Sequence, residues 1–160
     1  MMRIGHGFDA HRFSDGDHIV VGGVVIPFSK GIVAHSDGDV VIHALCDAFF
    51  GALSLGDIGE HFPDSDASLK GCDSRLFLRQ VQKLIREHKY TLSNLDCTIV
   101  CEKPKMAKYF DAMRQNLSSD LEVSVSKVNV KATTTEQLGF VGREEGIAAF
   151  AVVLLGQDKF

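Results

Sequence analysis

The chain has 160 residues, 45% of them hydrophobic and 24% charged, and carries a formal net charge of -4. That length and balance predict one globular domain over residues 1–160, long enough to bury a core. The acidic balance, with no Lys/Arg block, argues against a nucleic-acid partner, and the longest apolar run, Ile147 to Leu155, is too short to cross a membrane.

Residues 2–8 read as a strand, in which Gly5 and Gly7 allow another backbone to approach closely. Met1 to His6 lacks the apolar stretch of a signal peptide, so a cytoplasmic protein is expected. Asp9 and His11 follow. Residues two apart on an extended chain share a face, so a carboxylate and an imidazole stand side by side. Both are ligands for a zinc-like ion, though such a pair is also common as a hydrogen-bonded surface couple. A turn at 14–17 leads into short strands at 18–21 and 23–26 about Gly22-Gly23, a hairpin expected to be peripheral. Ser36 reads as the N-cap of a helix running to Leu53, with Asp39 at its third position and a core stripe of Val41, Leu45, Ala48 and Ala52. His43 falls on the side of Asp39 and Asp47, either of which would orient its ring. Residues 54–66 form a polar loop.

A second helix is predicted from Asp73-Ser74 to Lys89 with Leu76, Phe77, Val81, Leu84 and Ile85 inward, then a strand at 95–101. Pro104 opens a helix to Leu117, and strands follow at 127–133 and 146–156. The last strand is apolar at consecutive positions and should be covered on both faces. The four cysteines, Cys46, Cys72, Cys97 and Cys101, show no C-x-x-C spacing and read as reduced thiols. The order predicts an α+β fold: a two-layer sandwich of a mainly four-stranded mixed sheet, helices on one face, and a small β-hairpin. The free sheet face needs a neighbour, so a homo-oligomer is expected.

Three features carry chemistry. His43 is the candidate third ligand beside Asp9 and His11, and three protein ligands with an open fourth position is the pattern of a catalytic zinc site. Lys131 to Glu136 places three threonine hydroxyls before a carboxylate, suiting phosphate and a magnesium-type ion, or simply ending a β-branched strand. The 54–64 loop has amides and spaced carboxylates that suit a polyol, or water. There is no G-x-S-x-G, no P-loop and no G-x-G-x-x-G after a strand. A metal-dependent phosphohydrolase and a non-catalytic binding module for nucleotides or diphosphates both remain compatible with these residues.

The motifs G-H-G-F-D-A-H-R-F (5–13), A-H-S-D-G-D (34–39), L-G-D-I-G (55–59), F-P-D-S-D (62–66), P-K-M (104–106) and K-A-T-T-T-E-Q-L-G-F (131–140) span nearly the whole chain. In them the sequence resembles the 2-C-methyl-D-erythritol 2,4-cyclodiphosphate synthase family. The resemblance implies a homotrimer with active sites between subunits, and an enzyme of non-mevalonate isoprenoid biosynthesis. Such an enzyme releases CMP from a cytidine-diphosphate substrate by intramolecular phosphate attack. It implies Zn2+ on Asp9, His11 and His43, and a second ion, Mg2+ or Mn2+, on Glu136. His35 and Thr134 would steer the phosphates. Ser36, Asp57, Ile58, Gly59, Phe62 and Asp64 would hold the erythritol end, and Ala10, Pro63, Ser65 and Asp66 would also bind substrate. Cys101, Glu102, Lys103, Pro104, Lys105, Met106, Ala107, Ala132, Thr133 and Thr135 would hold cytidine and its phosphates. Phe8, Phe140 and Arg143 match a cavity on the trimer axis proposed to take isoprenoid diphosphates. Cys101, Glu102 and Lys103 before Pro104, and Glu144 after Arg143, depart from the family pattern, Glu144 adding negative charge near that anion site.

Overall fold

The computed structural model describes residues 1–157. The chain opens on β1 (Met2–Ser14), which runs past residue 8 and so carries Asp9 and His11 within the strand. A hairpin of β2 (His18–Val21) and β3 (Val24–Pro27) and the short β4 (Gly31–Ile32) precede α1 (Val40–Leu53), α2 (Ile58–His61) and α3 (Arg75–Glu87). Then come β5 (Tyr90–Val100), α4 (Phe110–Asp120), β6 (Val128–Thr133), α5 (Gly139–Gly142) and β7 (Gly146–Gln157). The α+β reading holds, with five strands in the main sheet in the order β4-β1-β7-β5-β6. Among the described residues only β5 and β6 pair in parallel; β1 pairs antiparallel with β4 and β7, and β7 antiparallel with β5. No helix among the described residues is long and apolar enough to cross a membrane, and all four cysteines are free.

The helices cover one face, with α1 at the centre. It is buried on nearly every side, because the sheet lies beneath it and α3 and the hairpin pack over it. The predicted four-residue stripe was therefore too narrow. Only His43, Asp47 and Gly51 escape full burial, and their four-residue spacing makes one open line along the helix.

The N-cap of α1 is Asp39, not Ser36. Asp39 Oδ1 accepts the amides of Val41 at 3.2 Å and Ile42 at 3.1 Å. The same carboxylate accepts the amides of Gly22 at 2.9 Å and Gly23 at 2.6 Å. Both glycines hold positive φ, 58° and 70°, which turns their N–H groups inward onto one side chain. The hairpin is thus not peripheral: Ile19, Val21 and Ile26 are buried in the main core, and Asp39 ties its turn to the start of the central helix.

Other boundaries move for local reasons. Within α3 Leu78 is buried while Leu76 is 47% exposed, and the helix stops at Glu87 as Lys89 takes a φ of 60°. Pro104 stands in the loop before a 3-10 turn at Ala107–Tyr109, and α4 continues to Asp120. β7 does not meet its expected double cover within the chain. Ala149, Ala151, Val153 and Leu155 face the helices, but Phe150 and Val152 point the other way. β1 alternates similarly, with Gly5, Gly7, Asp9 and His11 toward α1 and Ile4, Phe8 and Ala10 opposite. The opposite face is uncovered and carries an apolar patch: Ile4 is 71% exposed and Phe150 42%, with the Phe8 and Phe150 rings tilted against each other at 4.9 Å, while His6, Asp96 and Lys131 make the same face polar beside it.

Candidate active site

The glycines of β1 decide how near α1 can come. A Cβ on Gly5 would sit 1.8 Å from the Ala48 carbonyl oxygen, and one on Gly7 1.9 Å from that of Ala44. The helix backbone therefore rests directly on the strand. Further along the strand, where the side chains resume, His43 reaches Asp9 and His11.

The three donors form a small triangle. His11 Nε2 lies 2.8 Å from Asp9 Oδ2, His43 Nδ1 lies 3.1 Å from the same oxygen, and the two ring nitrogens are 3.0 Å apart. An ion held tetrahedrally at about 2.0–2.1 Å from each donor would set them roughly 3.3 Å apart. Two imidazoles and one carboxylate thus fit a zinc-like ion in both donor chemistry and spacing. Burial alone would raise the Asp9 pKa, but hydrogen bonds and charge from His11 and His43 hold it down at about 2. Burial likewise opposes charge on His43, yet Asp9, with Asp39 and Asp37 behind it, raises its pKa above the ordinary value. The pocket is thus electronegative and attracts a cation, whether proton or metal.

Neither carboxylate expected to orient His43 does so. Asp39 is spent on its cap, and Asp47 Oδ1 accepts the Ile58 amide at 2.7 Å, fixing the start of α2. His43 Nε2 instead meets two serines, Ser74 Oγ at 2.9 Å and Ser36 Oγ at 3.1 Å. Ser74 was read only as a helix start; nothing local in the sequence marks it, because its partners lie 31 and 37 residues away.

The donors open onto a cavity of about 600 Å³. Of the residues expected to bind substrate, Ser36, Ile58, Gly59, Phe62, Pro63, Asp64 and Ser65 line it, together with His35 and with Phe77, which the sequence reading placed only in a helix core. Phe62 stacks on Phe77 at 4.3 Å, giving the cavity an apolar wall. His35 Nε2 lies 3.0 Å from the Asp66 carbonyl oxygen, to which it donates. Asp57 and Asp66 do not line the cavity; each caps a turn, accepting Glu60 N at 3.1 Å and Ser68 N at 2.9 Å. Ala10 stands on the opposite face of β1.

A second cavity, of about 320 Å³, is lined by Cys101, Pro104, Lys105, Met106, Ala107, Ala132, Thr133 and Thr134, together with Phe110, which the sequence reading missed. Glu102 supports this pocket from behind. Its Oε1 accepts the amides of Thr135 at 3.1 Å and Gln137 at 3.2 Å, shaping the turn that displays Thr134 and Glu136. Glu136 is exposed, with φ at 52°. Lys103 pairs with Glu144 at 3.1 Å, and Arg143 with Glu145 at 2.9 Å. Phe8 and Phe140 are both partly exposed. His35 and Thr134 line different cavities, so one chain alone does not bring them together.

Comparison with known proteins places the chain in a family. The model of the YgbB family matches residues 2–156. The 2-C-methyl-D-erythritol 2,4-cyclodiphosphate synthase of Thioalkalivibrio sulfidiphilus is 60% identical over 96% of each chain. Among solved structures, the bifunctional IspDF from Campylobacter jejuni superposes with a TM-score of 0.95 at 41% identity, over 99% of this chain and 43% of that one. The CDP complex of IspF from Plasmodium falciparum gives a TM-score of 0.88 at 33% identity, over 99% of this chain and 97% of that one. On this extent of match, the chain belongs to the YgbB family.

Proposed function

We propose that Asp9, His11 and His43 hold a zinc ion for the reaction of the curated relatives. The chain is an enzyme that converts 4-diphosphocytidyl-2-C-methyl-D-erythritol 2-phosphate to 2-C-methyl-D-erythritol 2,4-cyclodiphosphate, a step of non-mevalonate isoprenoid biosynthesis. In that step an oxygen of the 2-phosphate forms a bond to the β-phosphorus, the bond from the β-phosphorus to the bridging oxygen breaks, and CMP leaves. A divalent ion, when bound, neutralises phosphate oxygens and orients them for in-line displacement. The observation that carries this reading is the three-donor triangle opening onto a cavity walled by the 58–65 segment.

The chain's own residues do the folding of the substrate. The Ser36 hydroxyl, the segment from Ile58 to Ser65 and the Phe62–Phe77 wall receive the erythritol end, while Cys101 to Ala107 with Ala132 to Thr134 receive the cytidine end. Ring closure requires the two ends to meet, so this positioning is the main contribution of the protein. His35 and Thr134 steer the phosphates, and the exposed Glu136 carboxylate holds the second ion, Mg2+ or Mn2+. The two cavities become one site only if a second copy supplies the other half. The bare sheet face of Ile4, Phe8, Phe150 and Val152 supports such an assembly, and we take it to be a homotrimer. Phe8, Phe140 and Arg143 would then face its axis, with Arg143 held by Glu145 rather than free for an isoprenoid diphosphate. Free cysteines suit a single-domain cytoplasmic enzyme.

Incubation with the cytidine-diphosphate substrate, followed by phosphorus NMR, tests the assignment. Cyclic diphosphate and CMP are expected; release of inorganic phosphate would make the protein a hydrolase instead.

A further inference from the structure

Ser74 occupies the position before α3 where serine ordinarily caps a helix, yet its side chain makes no capping bond. It is fully buried, and its hydroxyl is turned toward the metal-donor cluster. Ser74 Oγ lies 2.9 Å from His43 Nε2 and is hydrogen-bonded to Asp37 Oδ1. The Ser74 amide donates to Asp37 Oδ2 at 3.1 Å. A serine committed to a carboxylate and an imidazole at once has a defined proton direction.

Asp37 Oδ1 also accepts the Asp39 amide at 3.1 Å, so both oxygens of this side chain serve as acceptors. A carboxylate accepts and does not donate. The single hydroxyl proton of Ser74 therefore goes to Asp37, and only lone pairs are left toward His43. His43 Nε2 must then carry the N–H and donate it to Ser74 Oγ. A neutral imidazole protonated at Nε2 has its free lone pair at Nδ1. Nδ1 is the atom 3.1 Å from Asp9 Oδ2 and 3.0 Å from His11 Nε2.

We propose that Asp37 and Ser74 are positioning residues, a carboxylate–hydroxyl–imidazole relay that locks His43 in the tautomer presenting Nδ1 to the metal ion. The inference rests on the three-donor metal reading above. Outer partners of metal-bound histidines usually contact the ring directly through a carboxylate or carbonyl; here a hydroxyl is interposed. Ser36 Oγ stands 3.1 Å from Nε2 as well and 3.4 Å from Ser74 Oγ, the longer and weaker of the two acceptors open to the Ser74 proton; it also receives the Gly38 amide at 3.3 Å and has no carboxylate behind it to set its own proton. The relay also joins two segments of the cavity. Asp37 N donates to the Cys72 carbonyl at 3.1 Å and Gly71 N to that of His35 at 2.7 Å, so the His35 loop and the segment ending in Ser74 are laced together before they meet at His43.

Zinc affinity by chelator competition and nitrogen-15 NMR of the His43 ring test the relay in the full chain. With zinc bound, the wild-type ring should show a slowly exchanging Nε2–H and coordination through Nδ1. Ser74→Ala should keep its folding transition but bind zinc about 10–100-fold more weakly, with fast exchange at Nε2. Ser74→Thr, which keeps the hydroxyl, should recover affinity, and Asp37→Asn should behave like Ser74→Ala. Wild-type affinity in Ser74→Ala, or coordination of wild-type His43 through Nε2, overturns the relay while leaving the metal site standing. A wild-type protein that takes up no zinc overturns the metal reading itself, and the relay with it. If Ser74→Ala does not fold, the wild-type ring spectrum decides alone.

Discussion

Gly7→Ala is the sharpest perturbation of the site that touches none of its donors. The added Cβ would lie 1.9 Å from the Ala44 carbonyl oxygen and 2.8 Å from the Ala48 amide nitrogen, both backbone atoms that no rotamer change can move. A carbon–oxygen contact needs about 3.3 Å, so α1 must retreat by about 1.4 Å at this point. His43, carried on the same helix, would move away from Asp9 and His11, opening donor separations of 3.0–3.1 Å well past what a tetrahedral ion can bridge. Overpacking of this kind costs about 1–3 kcal/mol, and the backbone partners argue for the upper end. For a chain of this size that is a fall in Tm on the order of 5–10 °C. Zinc affinity should fall by more than the roughly 100-fold expected for a lost outer partner. Calorimetry and chelator competition on the same preparation measure both. Gly51→Ala is the matched control: it lies on the same helix, meets nothing within 4 Å, and should stabilise by about 0.5–1 kcal/mol. A Gly7→Ala protein with wild-type Tm and full zinc content would refute the claim that helix–strand contact sets the donor triangle.

Asp120 is buried and receives Arg75 at 2.6 Å and Arg79 at 2.8 Å, pinning α3 to α4. Asp120→Ala should cost about 3 kcal/mol in urea unfolding, the low end for a broken buried pair because Arg79 reaches water. The raised His43 pKa makes protons compete with the ion, so zinc affinity should decline as pH falls through that pKa, from above 6.5 downward, in a pH-resolved titration. Asp9, held at about 2, stays ionised across that range and should contribute no second step. In the metal-free protein the sign reverses: His43 stabilises fully below 6.5, and its contribution is lost as pH rises through its raised pKa, so metal-free Tm should drop as pH climbs above 6.5 while zinc-loaded Tm does not. Phe150→Asp puts a charge in the bare sheet face and should yield monomers by sedimentation; an unchanged assembly would place the subunit contact elsewhere.

The sequence was most legible where chemistry is local. Asp9 and His11 share a face because strands alternate, and the structure keeps that relation while extending β1 to hold both. His43 joined them through a helix whose type was clear from its pattern. What stayed hidden depended on distant partners. Ser36 and Asp39 are both good caps in isolation, and only the inward amides of Gly22 and Gly23 single out Asp39. The same contact makes the hairpin part of the core, which its few residues do not advertise. Ser74 looked like a helix signal because local sequence holds no trace of Asp37 and His43 folding over it. The apolar run of β7 suggested cover on both faces, but among the described residues only one face is covered, because Phe150 and Val152 alternate outward between the buried positions.

The alternation of β1 has a mechanical consequence. Phe8 and Ala10 are interleaved with Asp9 and His11, on opposite sides of a single ribbon of backbone. In the proposed assembly, pressure from a neighbouring copy on Phe8 would be transmitted through one peptide unit to the carboxylate of Asp9, with no loop between to absorb it. Assembly and metal capture should accordingly titrate together. Dilution that loosens the sheet face should slacken the ligand grip, and saturating metal should sharpen the concentration at which copies come apart.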